Sequence, residues 1–208
     1  MFALVNKSDN SITKSYSGST GITIGENQYP QTIFTLWSEA ERNAIDIYTI
    51  EINNSNFKNE EWYINTNITY AFDGSKVTGS YGDATAKAHA DTKWTQSEID
   101  AGKAPEGADT DTVKEEGLKT VLIRQVKSQA ENELNKTDWY VVRKAEEDIA
   151  IPSTITTHRK AVRAKQAEME TAITNASDTP ALETLYTYTE QEDVSVTRPL
   201  GELPTLED

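Results

Sequence analysis

The sequence predicts an α+β protein, β-rich in its first part and helical in its second, on three observations. Residues 45–52 (Ile-Asp-Ile-Tyr-Thr-Ile-Glu-Ile) alternate apolar and polar side chains with the period of two that half-buries a strand. Asp73-Gly74, set between two strand-like runs, is a hairpin turn signal. From Leu118 the period changes: Leu118, Leu122, Val126, Ala130 and Leu134 recur at every fourth residue, the stripe of an amphipathic helix.

Taken in order, residues 1–82 read as a β-rich module. Phe2-Ala3-Leu4-Val5 is a short apolar run closed by the turn cluster Lys7-Ser8-Asp9-Asn10, and Ile12 to Tyr16 and Ile22 to Ile24 are further strands. Ile33-Phe34 continues the β part. Ser38 is an expected N-cap, with Glu39 and Glu41 in the first turn of a helix running through Ala44. The alternating strand 45–52 follows. Trp62-Tyr63-Ile64 and Ile68 to Phe72 are strand-like, and Lys76 to Tyr81 is the return strand of the Asp73-Gly74 hairpin.

Residues 83–111 change texture to Ala, Asp, Thr, Lys and Gly, which predicts a loose connector with one helical turn at Ser97-Glu98-Ile99. Residues 112–188 then form a helical bundle. The striped helix is interrupted at Asn135-Lys136. Thr137 is expected to cap a second helix as an oxygen acceptor, with Asp138 as a first-turn anion. Trp139, Val142, Ala145 and Ile149 give that helix an apolar face, and Pro152 is expected to end it. Ser153 or Thr154 caps a third helix, with Ile155, Val162, Met169 and Ile173 on one side and Arg159, Lys160, Arg163 and Lys165 around the rest. Thr179-Pro180 opens a last short helix with Pro at its first position and Leu182, Leu185 and Tyr186 inward. Residues 189–208 read as an extended acidic tail that packs only where a partner offers a surface.

Charge narrows the function. Acidic residues outnumber basic ones 34 to 20, a formal net charge of -14, so neither nucleic acid nor an anionic membrane surface is an expected partner. With no cysteine, a disulfide or thiolate metal site is ruled out. Met1 to Asn6 is too short and lacks the basic start of a signal peptide, and no run approaches the ~20 apolar residues of a membrane span.

Little in the chain reads as chemistry. His89 lies in the connector and His158 on the basic helix, and both read as solvated. Two histidines leave little for a zinc site. Asp109-x-Asp111 begins like a calcium loop but lacks the central glycine and the terminal glutamate. The pairs Glu60-Glu61 and Glu146-Glu147 point apart, being adjacent in sequence. Phosphate-binding glycine loops and nucleophile elbows do not occur. The expectation is a protein that binds rather than catalyses, without cofactor or metal. Trp37, Trp62, Trp94 and Trp139 are either interface anchors or core. Trp139, on the apolar side of a helix start, is expected in the core, and Trp94, among polar residues, against another chain. The basic face around Arg159 and Arg163 is expected to dock the chain's own acidic tail or an acidic partner.

Two segments carry a family resemblance. Thr137-Asp138-Trp139, then Arg143, Pro152 and the pair Arg159/Arg163, resembles the C-terminal region of phage tail assembly chaperones, with His158 where the family more often has Tyr. Tyr29-Pro30, Leu36-Trp37-Ser38-Glu39-Ala40-Glu41 and Ile45-Asp46-Ile47-Tyr48 resemble a small N-terminal module of phage tail genes, with Asp46 where that pattern has glycine. The resemblance implies a bacteriophage accessory protein that binds a tail or tail-fibre subunit during assembly in the host cytoplasm. Its rival is a structural component retained in the virion tail as fibre, baseplate or adaptor protein. A cell-wall or polysaccharide hydrolase ranks last. A second copy of the chain is a further candidate partner. The partner-binding candidates are Trp37, Tyr48, Trp94, Trp139, Arg159 and Arg163.

Overall fold

A computed structural model describes residues 1–206. The chain is α+β and divides into two compact units, Met1–Thr85 and a second that begins at Ala86.

The first unit is built on a mixed sheet. Strands β1 (Phe2–Asn6) and β2 (Ser11–Tyr16) form an antiparallel hairpin, β3 (Ile22–Ile24) and β4 (Asn27–Tyr29) a second one. A 3-10 turn (Gln31–Phe34) and helix α1 (Glu39–Ala44) lead into β5 (Ile47–Asn53). After β6 (Tyr63–Ile64) come β7 (Thr69–Phe72) and β8 (Val77–Ser80), then β9 (Thr85–Ala86). The five-stranded sheet runs β2-β1-β5-β8-β7, with β5 and β8 parallel and the other pairs antiparallel. Its edge strands β2 and β7 approach each other, so the sheet curls towards a barrel.

Alternation sends side chains to both faces, and both are covered. Ala3, Val5, Tyr48, Ile50, Phe72 and Val77 fill the first core cluster, with the Tyr48 and Phe72 rings 4.7 Å apart. Ile22, Ile33, Phe34 and Ile47 fill the second, where Phe2 and Leu4 pack from the sheet. The hairpin at Asp73-Gly74 forms as expected. Gly74 takes φ 97°, and the Asp73 carboxylate accepts the Ser75 and Lys76 amides at 2.9 Å, which holds its pKa at about 2. Ser38 caps α1 with a full capping box to Glu41. The strand expected from Ile45 begins two residues later, because Ile45 closes α1 and Asp46 turns the chain at φ 63°.

In the second unit, β10 (Thr92–Lys93) and β11 (Val113–Glu115) pair around helix α2 (Gln96–Asp100), and α3 (Leu118–Asn135), α4 (Asp138–Glu147), α5 (Ser153–Asn175) and α6 (Thr179–Tyr186) follow. Strands β12 (Thr189–Glu190) and β13 (Val196–Thr197) form a small ribbon. Helices α3 and α5 pack along the expected stripes, Leu122, Val126 and Ala130 with Ile155, Val162, Met169 and Ile173.

Four expectations need correction here. The stretch 83–111 is fastened rather than loose: the Ala88 and His89 carbonyls accept the Leu118 and Lys119 amides at the start of α3, and the Asp91 carboxylate takes the Gly117 amide at 2.7 Å. Pro152 does not end α4, because Asp148 already terminates it in the left-handed region at φ 56°. Neither Ser153 nor Thr154 caps α5, which is entered from Pro152 without a side-chain cap, and α6 is capped by Asp178 through the Ala181 amide. The expected extended tail packs on its own unit: Leu200 is fully buried, its amide bonds the Leu185 carbonyl, and the Leu206 amide reaches Glu133 Oε1 at 3.2 Å. The last two residues of that tail, Glu207 and Asp208, lie outside the described residues.

Candidate protein-interaction site

The end of α3 leaves carbonyls without helical partners, and Leu134 is one of them. Its oxygen accepts the Thr137 hydroxyl at 2.9 Å and Arg159 Nη1 at 2.7 Å. The same Nη1 reaches Thr137 Oγ1 at 2.7 Å and Asp138 Oδ1 at 2.7 Å. One guanidinium from α5 thus clasps the α3–α4 junction. Arg159 is only 9% exposed, so it does not stand on a surface face open to the acidic tail or an acidic partner as expected: the α-helical spacing that puts Ile155 and Val162 inward carries Arg159 in with them. Thr137 is not the expected forward-facing cap of α4; its hydroxyl is spent backwards on α3 and sideways on Arg159.

Beside the clasp is a second buried polar group that the hydrophobic stripe hides. Glu133, not Leu134, occupies the buried slot after Ala130. Its carboxylate pairs with Lys136, receives the Leu206 amide, and lies 3.3 Å from Nε2 of buried His158 without hydrogen-bond alignment. The Lys136 ammonium, outweighing burial, holds its pKa below the usual glutamate range. His158 is therefore buried, not solvated as its basic helix suggested.

Helix α4 stands outward from this junction with no buried residue. Trp139 is 51% exposed and Val142 52%, and Ile149 beyond the helix is exposed as well. The expectation of a core Trp139 fails because Thr137 takes the inward position of the junction, with Asp138 bound at its rim to Arg159. The Trp139 and Tyr140 rings lie 3.8 Å apart, with the Arg143 guanidinium 4.7 Å and 5.3 Å from their centres.

The other candidates scatter. Tyr48 is 6% exposed, a core residue on the sheet and no contact surface, because both faces of β5 are covered. Trp62 is likewise buried. Trp37 is half-buried, edge-on to Tyr29 at 6.0 Å, and its carbonyl accepts the Arg42 guanidinium. Trp94 is half-buried in the β10–β11 ribbon under Lys114, which is 5.0 Å from its ring and paired with Glu98. Arg163 is exposed on the outer side of α5, in an open groove with Gln166, Ala167 and Glu170. Asp109, the start of the calcium-like stretch, accepts the Asp111 and Thr112 amides and closes its own turn. Sequence reasoning passed over Leu36, 78% exposed beside Trp37, which no periodicity marks. Of the four candidates in the second unit, Trp139 and Arg159 come to opposite sides of one junction.

Set against family models, curated proteins and solved structures, the chain matches none.

Proposed function

We propose that the chain is a non-enzymatic accessory protein of a tailed bacteriophage, which binds a tail or tail-fibre subunit and assists its assembly in the host cytoplasm. The observation that carries this reading is the clasp. The residues of the Thr-Asp-Trp and Arg-x-x-x-Arg pattern are far apart in sequence, yet buried Thr137 and Arg159 join half-exposed Asp138 in one bonded unit, and Trp139 beside it faces outward. A pattern with two positions fixed inward and an aromatic residue offered to another protein suits a binding module. The N-terminal pattern gains the same kind of support. Its glutamate is the capping-box residue Glu41, and Asp46, where the pattern has glycine, adopts φ 63°, a backbone that glycine enters without steric cost. The stretch 86–111 and the tail through Leu206 find contacts within their own unit, which suits a protein that stays folded before assembly.

Quantitative mass spectrometry of infected cells and of purified mature particles tests the reading. An assembly factor is abundant in cells and missing from particles. Recovery from particles at a fixed ratio to other tail proteins would instead make it a structural component of the virion.

A further inference from the structure

Helix α4 carries a self-complementary face. Trp139, Val142, Arg143 and Glu146 stand at i, i+3, i+4 and i+7 and therefore share one side of the helix. The apolar members of this face are half exposed. Among the described residues, neither Arg143 nor Glu146 has an ion-pair partner, on a chain where most other arginines are paired or bonded. The Arg143 Nε is moreover buried and has no acceptor among the described residues. A cation and an anion, one turn apart and both unpaired, flank an exposed valine and tryptophan.

We infer that a second copy of this chain covers α4, its own α4 lying antiparallel across a two-fold axis. Antiparallel packing brings Arg143 of each copy onto Glu146 of the other, giving two reciprocal ion pairs from one surface, which is the signature of an isologous interface. The same register slides each Trp139 past the end of the opposite helix towards the exposed Ile149 of the other copy. Charge decides the register: a parallel arrangement sets Arg143 against Arg143 and Glu146 against Glu146, and like charges in contact are disfavoured. The face is small. A helix of 10 residues is about 15 Å long, so it buries well under the ~800 Å² per partner of a standard stable complex. The net charge of -14 on each copy adds long-range repulsion that salt screens. The dimer is accordingly a weak one, filled at high protein concentration and moderate ionic strength. The inference does not depend on the tail-assembly reading, since it concerns the free protein alone.

Sedimentation velocity on the full chain across a concentration series tests it by charge exchange. The wild-type chain is expected to pass from monomer to dimer as concentration rises. R143E and E146R each place like charges at both reciprocal contacts, and each is expected to weaken self-association about a hundredfold. An equimolar mixture of R143E and E146R restores opposite charges at both contacts and is expected to recover a heterodimer that neither variant forms alone. Far-UV circular dichroism checks that each variant keeps its helices. A chain that stays monomeric throughout, a dimer indifferent to R143E, or a mixture that fails to recover association would each overturn the inference.

Discussion

The arginine clasp can be tested by removing it. In R159A, Thr137 Oγ1 loses a donor at 2.7 Å, and the Leu134 carbonyl loses one donor at 2.7 Å but keeps the Thr137 amide at 3.0 Å. Hydrogen bonds from a charged group contribute about 1.5–3 kcal/mol each. The Leu134 carbonyl retains the Thr137 hydroxyl at 2.9 Å, so that loss falls at the lower end. The Asp138 pair adds little, because half of that side chain faces water and exposed pairs contribute ~0–1 kcal/mol. The expected destabilisation is about 3 kcal/mol, or roughly 10 °C in Tm for a unit of this size. Urea unfolding followed by far-UV circular dichroism measures it, with R163A, an exposed neighbour on the same helix, as the control expected within about 0.5 kcal/mol of wild type. Combining R159A with T137V closes a double-mutant cycle, and a coupling of about 1 kcal/mol or more is expected between residues in direct contact. If R159A unfolds like R163A, or if the cycle closes with no coupling, the clasp does not hold the junction.

Other positions make sharp predictions. A Cβ at Gly117 would sit 2.2 Å from the Ala90 carbonyl carbon, so G117A is expected to lower unfolding stability by about 2–3 kcal/mol and to raise amide exchange at Leu118 and Lys119. Asp46 occupies the left-handed region, so thermal melts should rank D46G at or above wild type and D46V about 2 kcal/mol below D46G. Leu200 is a fully buried tail residue, and L200A should cost about 2–4 kcal/mol while loosening the tail to limited proteolysis. The Glu98 carboxyl is held at about 2, first by the Lys114 ammonium and then by the Thr95 amide and hydroxyl. Its folded value lies below its ordinary 4.5, so its stabilising contribution is complete at neutral pH and is lost as pH falls from about 4.5 to about 2. An NMR titration of the Glu98 side chain should find that depressed midpoint, and K114M should return it towards 4.5.

How far the sequence could be read depended on what was buried. Where burial is apolar, the period told the truth: the Asp73-Gly74 hairpin, the α3 stripe through Leu122, Val126 and Ala130, and the α5 row from Ile155 to Ile173 all stand where they were expected. Where burial is polar, the period is silent. Glu133, His158 and Arg159 are buried by partners on other helices or in the tail, and a hydrogen bond across about 25 residues leaves no mark on local hydropathy. The stretch 83–111 misled for a related reason. Its polar residues are held by one capping box, turns and backbone bonds to α3, which need no hydrophobic pattern. Trp139 misled in the opposite sense, since a large aromatic on a helical stripe reads as core whether or not another element arrives to cover it.

The clasp also explains why Trp139 is exposed, and so separates stability from interaction. Thr137 is held inward and Asp138 is tied to the junction by Arg159, so the next residue leaves the junction about 100° further around a helix that no described residue buries. Substitutions at Arg159 should therefore disturb fold and binding together, because they release the orientation of α4. W139A should leave unfolding stability within about 0.5 kcal/mol of wild type, since a half-exposed ring on an uncovered helix contributes little to the core. It should nevertheless weaken self-association measured by sedimentation. A W139A variant as destabilised as R159A would mean that the indole packs inward in solution, and the outward face of α4 would then have to be abandoned as the contact surface.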